Sequence, residues 1–211
     1  MFIGFCIVAF SYFLGSISTS ILIAKMFGVK DIRKHGSGNA GSTNVLRTVG
    51  KKAAALTFLG DFLKGVIPVI VSYFVCQEYK VQFALLSAMM AVIGHIFPAY
   101  FSFKGGKGVA TSFGAVIALS ALTGKIWIPL ALFGIWLLVV IITRYVSLGS
   151  VIVFAVYPIL VAVFCIKMPL EDYISYIIFG VAVGTLGIVM HRKNIKRLIK
   201  GTESKIGQKA K

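Results

Sequence analysis

Three short clusters rich in glycine, hydroxyl, amide and basic residues carry most of the chemistry available to this sequence. They lie at residues 36–47, 105–111 and 191–203. Glycine-rich segments let an anion approach backbone N–H groups, and arginine and lysine add hydrogen-bonded positive charge. The clusters therefore predict binding of phosphorylated ligands.

The first cluster contains a G-x-G-x-x-G pattern at Gly36, Gly38 and Gly41. A dinucleotide-binding loop with this pattern needs a preceding β-strand, whereas an apolar segment typical of a membrane helix precedes it here. We therefore expect an anion-binding loop with Arg47 as a bidentate phosphate ligand; the alternative is a flexible polar connector. Its further side-chain donors are Ser37, Asn39, Ser42, Thr43 and Asn44.

The second cluster is only superficially similar to a Walker A loop, because Lys107 is followed by Gly108 rather than by serine or threonine. We predict a helix that begins near Val109, whose free N–H groups and positive dipole end face an anion. The candidate ligands are Lys104, Gly105, Gly106, Lys107 and Gly108.

The third cluster places His191 and Asn194 three residues apart, so both lie on one face of a helix. Both could reach the same ligand. The alternative is an interfacial amphipathic helix with buried aliphatic residues and solvated lysines, and the two interpretations are compatible.

Two charged residues, Asp61 and Lys64, lie in an apolar segment at positions i and i+3. Each would cost roughly 2.5–3.5 kcal/mol near the centre of a membrane helix if unpaired. We expect a mutual ion pair or contact with an inner cavity. His95 is interpreted as a packed hydrogen-bond partner between helices, and Gly180, Gly184 and Gly187 as a close-packing face.

The composition explains how these residues must be positioned. Of 211 residues, 58% are hydrophobic and 13% charged, with a mean hydropathy of +0.94. This predicts an all-α integral membrane protein, a single domain over 1–211 with a basic tail over 192–211. The seven predicted spans are 2–24, 53–76, 82–103, 108–123, 126–143, 146–166 and 172–190. The fourth span is short and rich in small residues, and we expect the first to be retained rather than cleaved as a signal peptide.

The distribution of basic residues predicts the orientation. Residues 25–52 contain seven lysines and arginines, and residues 192–211 contain eight. The positive-inside rule therefore predicts an outside N-terminus and a cytoplasmic C-terminus. All three clusters would then share the cytoplasmic face and form one site, and the tail beyond Glu203 could also bind anionic lipid.

Other classes of function have little support in the sequence. The basic residues flank membrane segments without interleaved exposed aromatics, which argues against nucleic-acid binding. Cys6, Cys76 and Cys165 lack paired spacing and are interpreted as small hydrophobic residues. The histidines and carboxylates are too dispersed for a metal-ligand pattern, so we predict no metal site.

Together the motifs resemble those of the bacterial acyl-phosphate-dependent glycerol-3-phosphate acyltransferases over nearly the whole chain. Ser18 and Ser42 stand where this family usually has proline and alanine. The motifs that carry the resemblance are G15-S-I, G-S-G-N-x-G-x-T-N-x-x-R, D61-x-x-K-G65, G94-H-x-x-P98, F103-K-G-G-K-G-V-A-T111, T143-R-Y-x-S147 and H191-R-x-N-I-x-R-L-x-x-G-x-E203.

The resemblance implies transfer of a fatty acyl group from acyl phosphate to the 1-hydroxyl of glycerol 3-phosphate, the first step of phospholipid synthesis. Acyl phosphate is already activated, so direct attack without a covalent acyl-enzyme is implied, and the substrate's own phosphate is expected to accept the proton. It further implies no cofactor, a location in the bacterial inner (cytoplasmic) membrane and a functional link to an enzyme that forms acyl phosphate. It leaves acyl-chain preference and oligomeric state open.

The resemblance also assigns roles to residues. The catalytic set is Ser37, Arg47, His191 and Asn194. The expected acyl-phosphate ligands are Gly36, Ser37, Gly38, Asn39, Gly41, Ser42, Thr43 and Asn44. The expected glycerol 3-phosphate ligands are Lys104, Gly105, Gly106, Lys107, Gly108, Thr143, Arg144, His191 and Asn194. Structural roles are expected for Asp61, Lys64 and Glu203, the last anchoring Arg197 or the first loop.

Two other classes remain as alternatives. Intramembrane charges and phosphate-binding helix ends also describe an anion transporter, although the sequence contains no inverted repeat. The other alternative is a lipid phosphatase or phosphotransferase. Such an enzyme would be expected to carry a carboxylate-rich metal motif or a paired histidine signature, and the sequence contains neither.

Overall fold

The computed structural model describes residues 1–208, and all regular secondary structure within them is helical. The α-helices are α1 (Phe2–Gly15), α2 (Thr19–Met26), α3 (Ser42–Thr48), α4 (Lys51–Val75), α5 (Lys80–Ile96), α6 (Val109–Leu122), α7 (Trp127–Thr143), α8 (Val146–Phe164), α9 (Leu170–Met190) and α10 (Arg192–Ile199). Short 3-10 turns occur at Ile32–Lys34 and Ala99–Phe101. The predicted all-α class is confirmed.

The chain forms two compact units. The first unit contains Met1–Ala115 with the described residues after 206, and the second contains Val116–Ile206. The boundary falls within α6. The single domain expected from the sequence stays a prediction, and we describe each unit by itself.

In the first unit, the expected first span is divided between α1 and α2. The helix stops at Gly15 and resumes at Thr19, although Ser18 replaces the proline common in the family that the sequence resembles. Backbone groups freed by a break within lipid need internal partners. Lys64 supplies one, because its Nζ donates to the carbonyl of Ile17 over 2.8 Å.

Glycines let α1 and α5 approach closely. A Cβ on Gly15 would collide with the carbonyl of Ala91, and a Cβ on Gly94 would collide with the carbonyl of Tyr12. Small residues at such contacts are typical of membrane helices, where close backbone packing replaces the hydrophobic driving force. This contact fixes the end of α5 that carries His95.

In the second unit, α8 packs against α7 and α9. The ring of Phe154 on α8 fills the space beside Gly187, and the Phe154 carbonyl would lie 2.6 Å from a Cβ on Gly184. Gly180 lies against Pro158. The expectation that these three glycines form a packing face is therefore confirmed.

Five apolar segments are long enough to cross a membrane. They are Phe2–Met26, Lys51–Val75, Lys80–Phe101, Val146–Phe164 and Leu170–Met190. The helices α6 and α7 are apolar but have 14 and 17 residues. The described structure thus supports a multi-pass membrane protein, while the count of seven spans and the orientation of the termini stay predictions.

Candidate active-site loops

The loop over residues 36–44 has a defined conformation in the first unit. Gly36 and Gly38 have φ angles of +58° and +71°, in the left-handed region that side chains disfavour. A Cβ on Gly36 would also collide with the side-chain oxygen of Asn44. Glycine at these positions is therefore a requirement of the loop itself.

Asn44 fixes this loop from within. Its side chain is 1% exposed, and its amide nitrogen donates to the carbonyls of Ile32 and His35 over 3.2 and 3.0 Å. Its Oδ1 accepts from the backbone N–H of Ser37 over 2.9 Å. In this conformation both amide hydrogens of Asn44 bond to the segment that leads into the loop. Asn44 therefore shapes the loop in this structure, and its assignment to the acyl phosphate, which the family resemblance implies, stays a prediction.

The other predicted ligands of this loop are accessible. Gly36, Ser37 and Gly38 are exposed, and Asn39, Gly41, Ser42, Thr43 and Arg47 are partly exposed. The loop therefore offers a surface of hydroxyls, amides and one guanidinium. Such a surface suits an anion better than an apolar group.

The second cluster packs against the first. A Cβ on Gly106 would lie 2.6 Å from the carbonyl of Ala40, which is within the first loop. The guanidinium of Arg33 donates to the carbonyls of Phe101 and Lys104 over 2.9 and 3.4 Å. Two clusters separated by about sixty residues are thus adjacent in the first unit.

Arg33 is held by a carboxylate of its own segment. Asp31 accepts hydrogen bonds from Arg33, with a shortest distance of 2.9 Å between Nη2 and Oδ2. These hydrogen bonds hold the pKa of Asp31 below its usual value, although partial burial opposes them. In residues 25–52 Asp31 is the one carboxylate beside seven basic residues.

The second cluster leads directly into α6, as predicted. Gly108 has a φ of +81°, and the first helical hydrogen bond joins Ser112 N to the Gly108 carbonyl over 2.7 Å. The N–H groups before Ser112 are the ones that a helix leaves without helical partners. Lys104 is exposed and Lys107 is partly exposed beside this terminus.

The ion pair expected between Asp61 and Lys64 is present, with 2.8 Å between Nζ and Oδ1. Both side chains are buried in α4. The sequence did not indicate that Thr19 also donates to Asp61 Oδ1 over 2.6 Å, or that His95 Nδ1 lies 3.3 Å from the same oxygen. His95, interpreted from the sequence as a polar partner between helices, thus lies against a polar group of another helix.

Glu203 organises the third cluster within the second unit. Its Oε1 accepts from Ser147 Oγ over 2.8 Å and from Asn194 Nδ2 over 2.7 Å. Its Oε2 accepts from Arg197 Nε over 2.6 Å. Of the two anchoring roles expected for Glu203, the structure supports the one to Arg197. Ser147 belongs to a recognised motif but was given no role from the sequence.

The same contacts set the charge of Glu203. Burial acts to raise its pKa, but hydrogen bonds from Arg197, Asn194 and Ser147 outweigh burial and hold the pKa below its usual value. Glu203 is only 7% exposed, so it is a buried carboxylate at neutral pH. A charged acceptor strengthens its hold on Asn194.

His191 is held in one orientation at the junction of α9 and α10. It is 2% exposed, and Nδ1 lies 2.7 Å from the Gly187 carbonyl. A carbonyl only accepts, so Nδ1 carries the proton and the neutral ring has its lone pair on Nε2. In this tautomer Nε2 is a hydrogen-bond acceptor.

Thr143 and Arg144 lie at the end of α7. The Thr143 hydroxyl donates to the carbonyl of Val139 and accepts from the N–H of Tyr145, over 2.7 and 3.2 Å. It therefore shapes the helix end, and its assignment to glycerol 3-phosphate, which the family resemblance implies, stays a prediction. Arg144 is exposed with a φ of +62°, and its carbonyl accepts from Ile206 N over 2.8 Å.

The predicted site residues divide between the units. The first unit holds residues 36–47, 61, 64 and 104–108, and the second holds 143, 144, 191, 194 and 203. Contact between the first two clusters is therefore present within one unit. The sequence-based expectation that all three clusters form one site stays a prediction.

Comparison with known proteins agrees with these motifs. The family model for glycerol-3-phosphate acyltransferase matches residues 5–201. A glycerol-3-phosphate acyltransferase of Clostridioides difficile (strain 630) is 48% identical over 94% of this chain and 93% of that protein. One from Alkaliphilus metalliredigens (strain QYMF) is 45% identical over 98% of each chain.

Solved structures show the same similarity in three dimensions. The glycerol 3-phosphate form of PlsY (YgiH), an integral membrane glycerol 3-phosphate acyltransferase, gives a TM-score of 0.84 at 37% identity, over 97% of this chain and 96% of that chain. The lysophosphatidic acid form gives 0.82 at 36%, over 97% and 95%. The chain belongs to the glycerol-3-phosphate acyltransferase family of integral membrane enzymes.

Proposed function

We propose that the protein transfers a fatty acyl group from an acyl phosphate to the 1-hydroxyl of sn-glycerol 3-phosphate, and releases 1-acyl-sn-glycerol 3-phosphate and inorganic phosphate. Family membership supports the acceptor, and the two forms of PlsY support acceptor and product. The observation that carries the proposal is the packing of Gly106 against Ala40, which brings the two glycine-rich segments side by side in the first unit. A reaction between two phosphorylated compounds needs that arrangement.

The chemistry of an acyl phosphate supports direct transfer. An acyl phosphate is a mixed anhydride with a good leaving group, so the acceptor hydroxyl attacks the carbonyl carbon and phosphate departs. The proton of the hydroxyl passes to a phosphate of the substrate. The enzyme then has to hold two anions that repel each other and stabilise the charge that develops on the carbonyl oxygen.

Within the first unit the two segments take different ligands. The loop over 36–44 binds the phosphate of the acyl donor through side chains that include Ser37, and Arg47 bridges towards the reacting phosphates. Lys104 and the segment over 105–108 bind glycerol 3-phosphate, through groups other than the N–H donors of Gly105 and Gly106, which bond to the carbonyls of Ile96 and His95. Lys107 lies between the reacting phosphates. The positive φ angles of Gly36 and Gly38 and the start of α6 after Gly108 support this division.

Within the second unit, His191 and Asn194 are the candidate reactive side chains. The proton on Nδ1 gives Nε2 of His191 the character of a hydrogen-bond acceptor, and Glu203 orients Asn194. Assignment of these two residues, with Thr143 and Arg144, to glycerol 3-phosphate stays a prediction. The proposal places this chemistry at the cytoplasmic face of the bacterial cell membrane.

The first experiment measures both products from defined donors. Purified protein is incubated with glycerol 3-phosphate and either palmitoyl phosphate or palmitoyl-CoA, and phosphate and 1-acylglycerol 3-phosphate are quantified. We expect equal amounts of the two products, from palmitoyl phosphate alone. Phosphate without acylated product would indicate a hydrolase, and equal rates from palmitoyl-CoA would overturn the proposed donor.

A charge reversal with a matched control tests the acceptor site. Lys104→Glu should raise the KM for glycerol 3-phosphate by about tenfold or more, since it replaces a phosphate contact with repulsion. Lys80→Glu is the control, because Lys80 is also exposed in the first unit but begins α5 at the end opposite His95. An unchanged KM in Lys104→Glu would contradict the assignment of Lys104.

Direct transfer is tested separately by trapping. The protein is mixed with radiolabelled palmitoyl phosphate in the absence of acceptor and quenched in acid. We expect no more label on the protein than on a heat-denatured control. Stable label on a serine or cysteine would overturn the mechanism without acyl-enzyme while leaving the net reaction unchanged.

A further inference from the structure

A buried polar cluster in the first unit joins separate helices around one oxygen atom. Asp61 Oδ1 accepts from Thr19 Oγ1 and Lys64 Nζ over 2.6 and 2.8 Å, and His95 Nδ1 lies 3.3 Å away. Asp61, Lys64 and His95 are between 2% and 6% exposed. Each charge in this place has a large desolvation cost.

Part of this cluster has a structural explanation. Lys64 donates to the carbonyl of Ile17 in the break between α1 and α2, and Asp61 compensates the charge of Lys64. His95 is different. Its Nδ1 is fully buried, and among the described residues no hydrogen bond to it is formed, although Asp61 is 3.3 Å away. An apolar side chain at this position would also pack α5 against α4 and would bury no polar atom, so packing alone does not explain a histidine here.

The opposite edge of His95 meets the second glycine cluster. A Cβ on Gly106 would collide with Nε2 and lie 2.8 Å from Cε1. The backbone agrees, because Gly106 N donates to the His95 carbonyl over 3.2 Å and Gly105 N to the Ile96 carbonyl over 3.1 Å. The imidazole therefore lies between the Asp61 carboxylate and the backbone of Gly106.

We propose that Asp61 and His95 are positioning residues that hold the backbone of Gly105 and Gly106 and thereby set the affinity for glycerol 3-phosphate. The inference rests on the proposed function, which assigns this segment to that substrate. The negative charge of Asp61, 3.3 Å from Nδ1, attracts that edge of the His95 ring towards α4, and the ring determines how far Gly106 stands from α5. Neither residue touches the substrate.

Steady-state kinetics with each substrate varied in turn tests the proposal. His95→Ala should raise the KM for glycerol 3-phosphate about tenfold, since small misplacements of binding groups have large effects. The KM for palmitoyl phosphate and kcat should change less than about threefold, because the first loop keeps its own hydrogen bonds through Asn44. His95→Gln, which keeps a polar atom near the position of Nε2, should recover part of the affinity.

Hydrogen–deuterium exchange supplies a readout that does not depend on turnover. In His95→Ala the amides of Gly105 and Gly106 should exchange faster than in the unmodified protein. Ser72→Ala is the matched control, since Ser72 is fully buried in α4 and its hydroxyl faces Cys76 at the far end of that helix. This control should leave exchange at these glycines and both KM values unchanged.

The role of Asp61 is tested with a double variant, because replacing Asp61 alone would leave the buried charge of Lys64 without its partner. The double variant Asp61→Asn/Lys64→Met keeps the size of both side chains and removes both charges. It should raise the KM for glycerol 3-phosphate in the same direction as His95→Ala.

Three outcomes would overturn the inference: unchanged exchange at Gly105 and Gly106 in His95→Ala, faster exchange with an unchanged KM for glycerol 3-phosphate, or an equal rise in both KM values. Failure of the proposed function gives a different result, because the unmodified protein would then form no acylated glycerol phosphate.

Discussion

Each unit of this enzyme contains a buried carboxylate beside the residues with candidate functional roles, and the two are stabilised differently. Asp61, 2% exposed, pairs with a lysine that is itself only 4% exposed. Glu203, 7% exposed, pairs with Arg197, whose side chain is 39% exposed, and also accepts from Ser147 and Asn194. Asp61 thus depends mainly on charge compensation, whereas Glu203 depends mainly on hydrogen bonds.

This difference has a physical origin in the surroundings. Asp61 lies within an apolar 25-residue helix, where an isolated charge has little solvent to stabilise it. Glu203 follows α10 in an irregular segment whose neighbours at 201, 202, 204 and 205 are exposed. Removing the partner of a buried charge should therefore cost more in the first unit than removing the acceptor does in the second.

The largest effect is expected for Asp61→Ala. It leaves Lys64 buried without a counter-charge, which costs about 3–5 kcal/mol in the free energy of unfolding. Asp61→Leu/Lys64→Met removes both charges and should cost less than the single change, since a buried pair replaced by apolar groups is often tolerated. Unfolding in mixed micelles titrated with SDS measures both. A double variant less stable than Asp61→Ala would show that charge compensation is not what stabilises Asp61.

A smaller effect is expected for Glu203→Ala. Three donors lose their acceptor, with a cost of about 1–3 kcal/mol for the buried ones. Limited trypsin digestion monitors the local consequence, since cleavage after Lys200 should become faster once Asn194 and Arg197 no longer hold the following segment. Glu203→Gln keeps an acceptor oxygen and is the conservative control. Equal cleavage rates in Glu203→Ala and the unmodified protein would contradict the anchoring role.

These two carboxylates also show how far the sequence could predict the site. Asp61 and Lys64 lie one helical turn apart, so spacing alone predicted their pair. The contacts of Thr19 and His95 with Asp61 depend on how three helices pack, and no spacing in the sequence encodes that. The break between α1 and α2 was missed for the same reason, because the donor to Ile17 comes from α4.

The loops divide in a similar way. Glycine-rich composition indicated the loop over 36–44, and the positive φ angles of Gly36 and Gly38 agree with it. The composition could not indicate that the Asn44 amide donates to the carbonyls of Ile32 and His35. An asparagine side chain can form hydrogen bonds with a ligand or with the backbone equally well. All-helical structure was predictable because long apolar runs leave no other way to satisfy a backbone in lipid.

The stability of the unmodified protein and that of Glu203→Gln should depend differently on pH, because only Glu203 carries a titrating carboxylate. Because the pKa of Glu203 is lowered on folding, its carboxylate stabilises the protein above the unfolded pKa of about 4.3. That contribution is lost as the pH falls through the lower folded pKa. The difference in unfolding temperature between the unmodified protein and Glu203→Gln should be constant from pH 7 to about 5 and should shrink below the unfolded pKa. A difference that grows on acidification would contradict this sign.

The smallest effect is expected for Asp31→Asn, which extends the comparison to a partly exposed carboxylate. Asp31 and Arg33 have side chains 24% and 26% exposed, so their ion pair is screened by water and salt. We expect a loss below about 1 kcal/mol, because surface ion pairs contribute little and the asparagine oxygen can still accept from the Arg33 N–H. The loss should shrink further in about 1 M salt, where the screening length falls to roughly 3 Å.

A loss of stability equal to that of Glu203→Ala would contradict this prediction, because the more buried carboxylate would then contribute no more to stability than the more exposed one. In that case the role of Asp31 would lie in holding Arg33 against the carbonyls of Phe101 and Lys104, and Arg33→Ala should then destabilise the protein to the same extent.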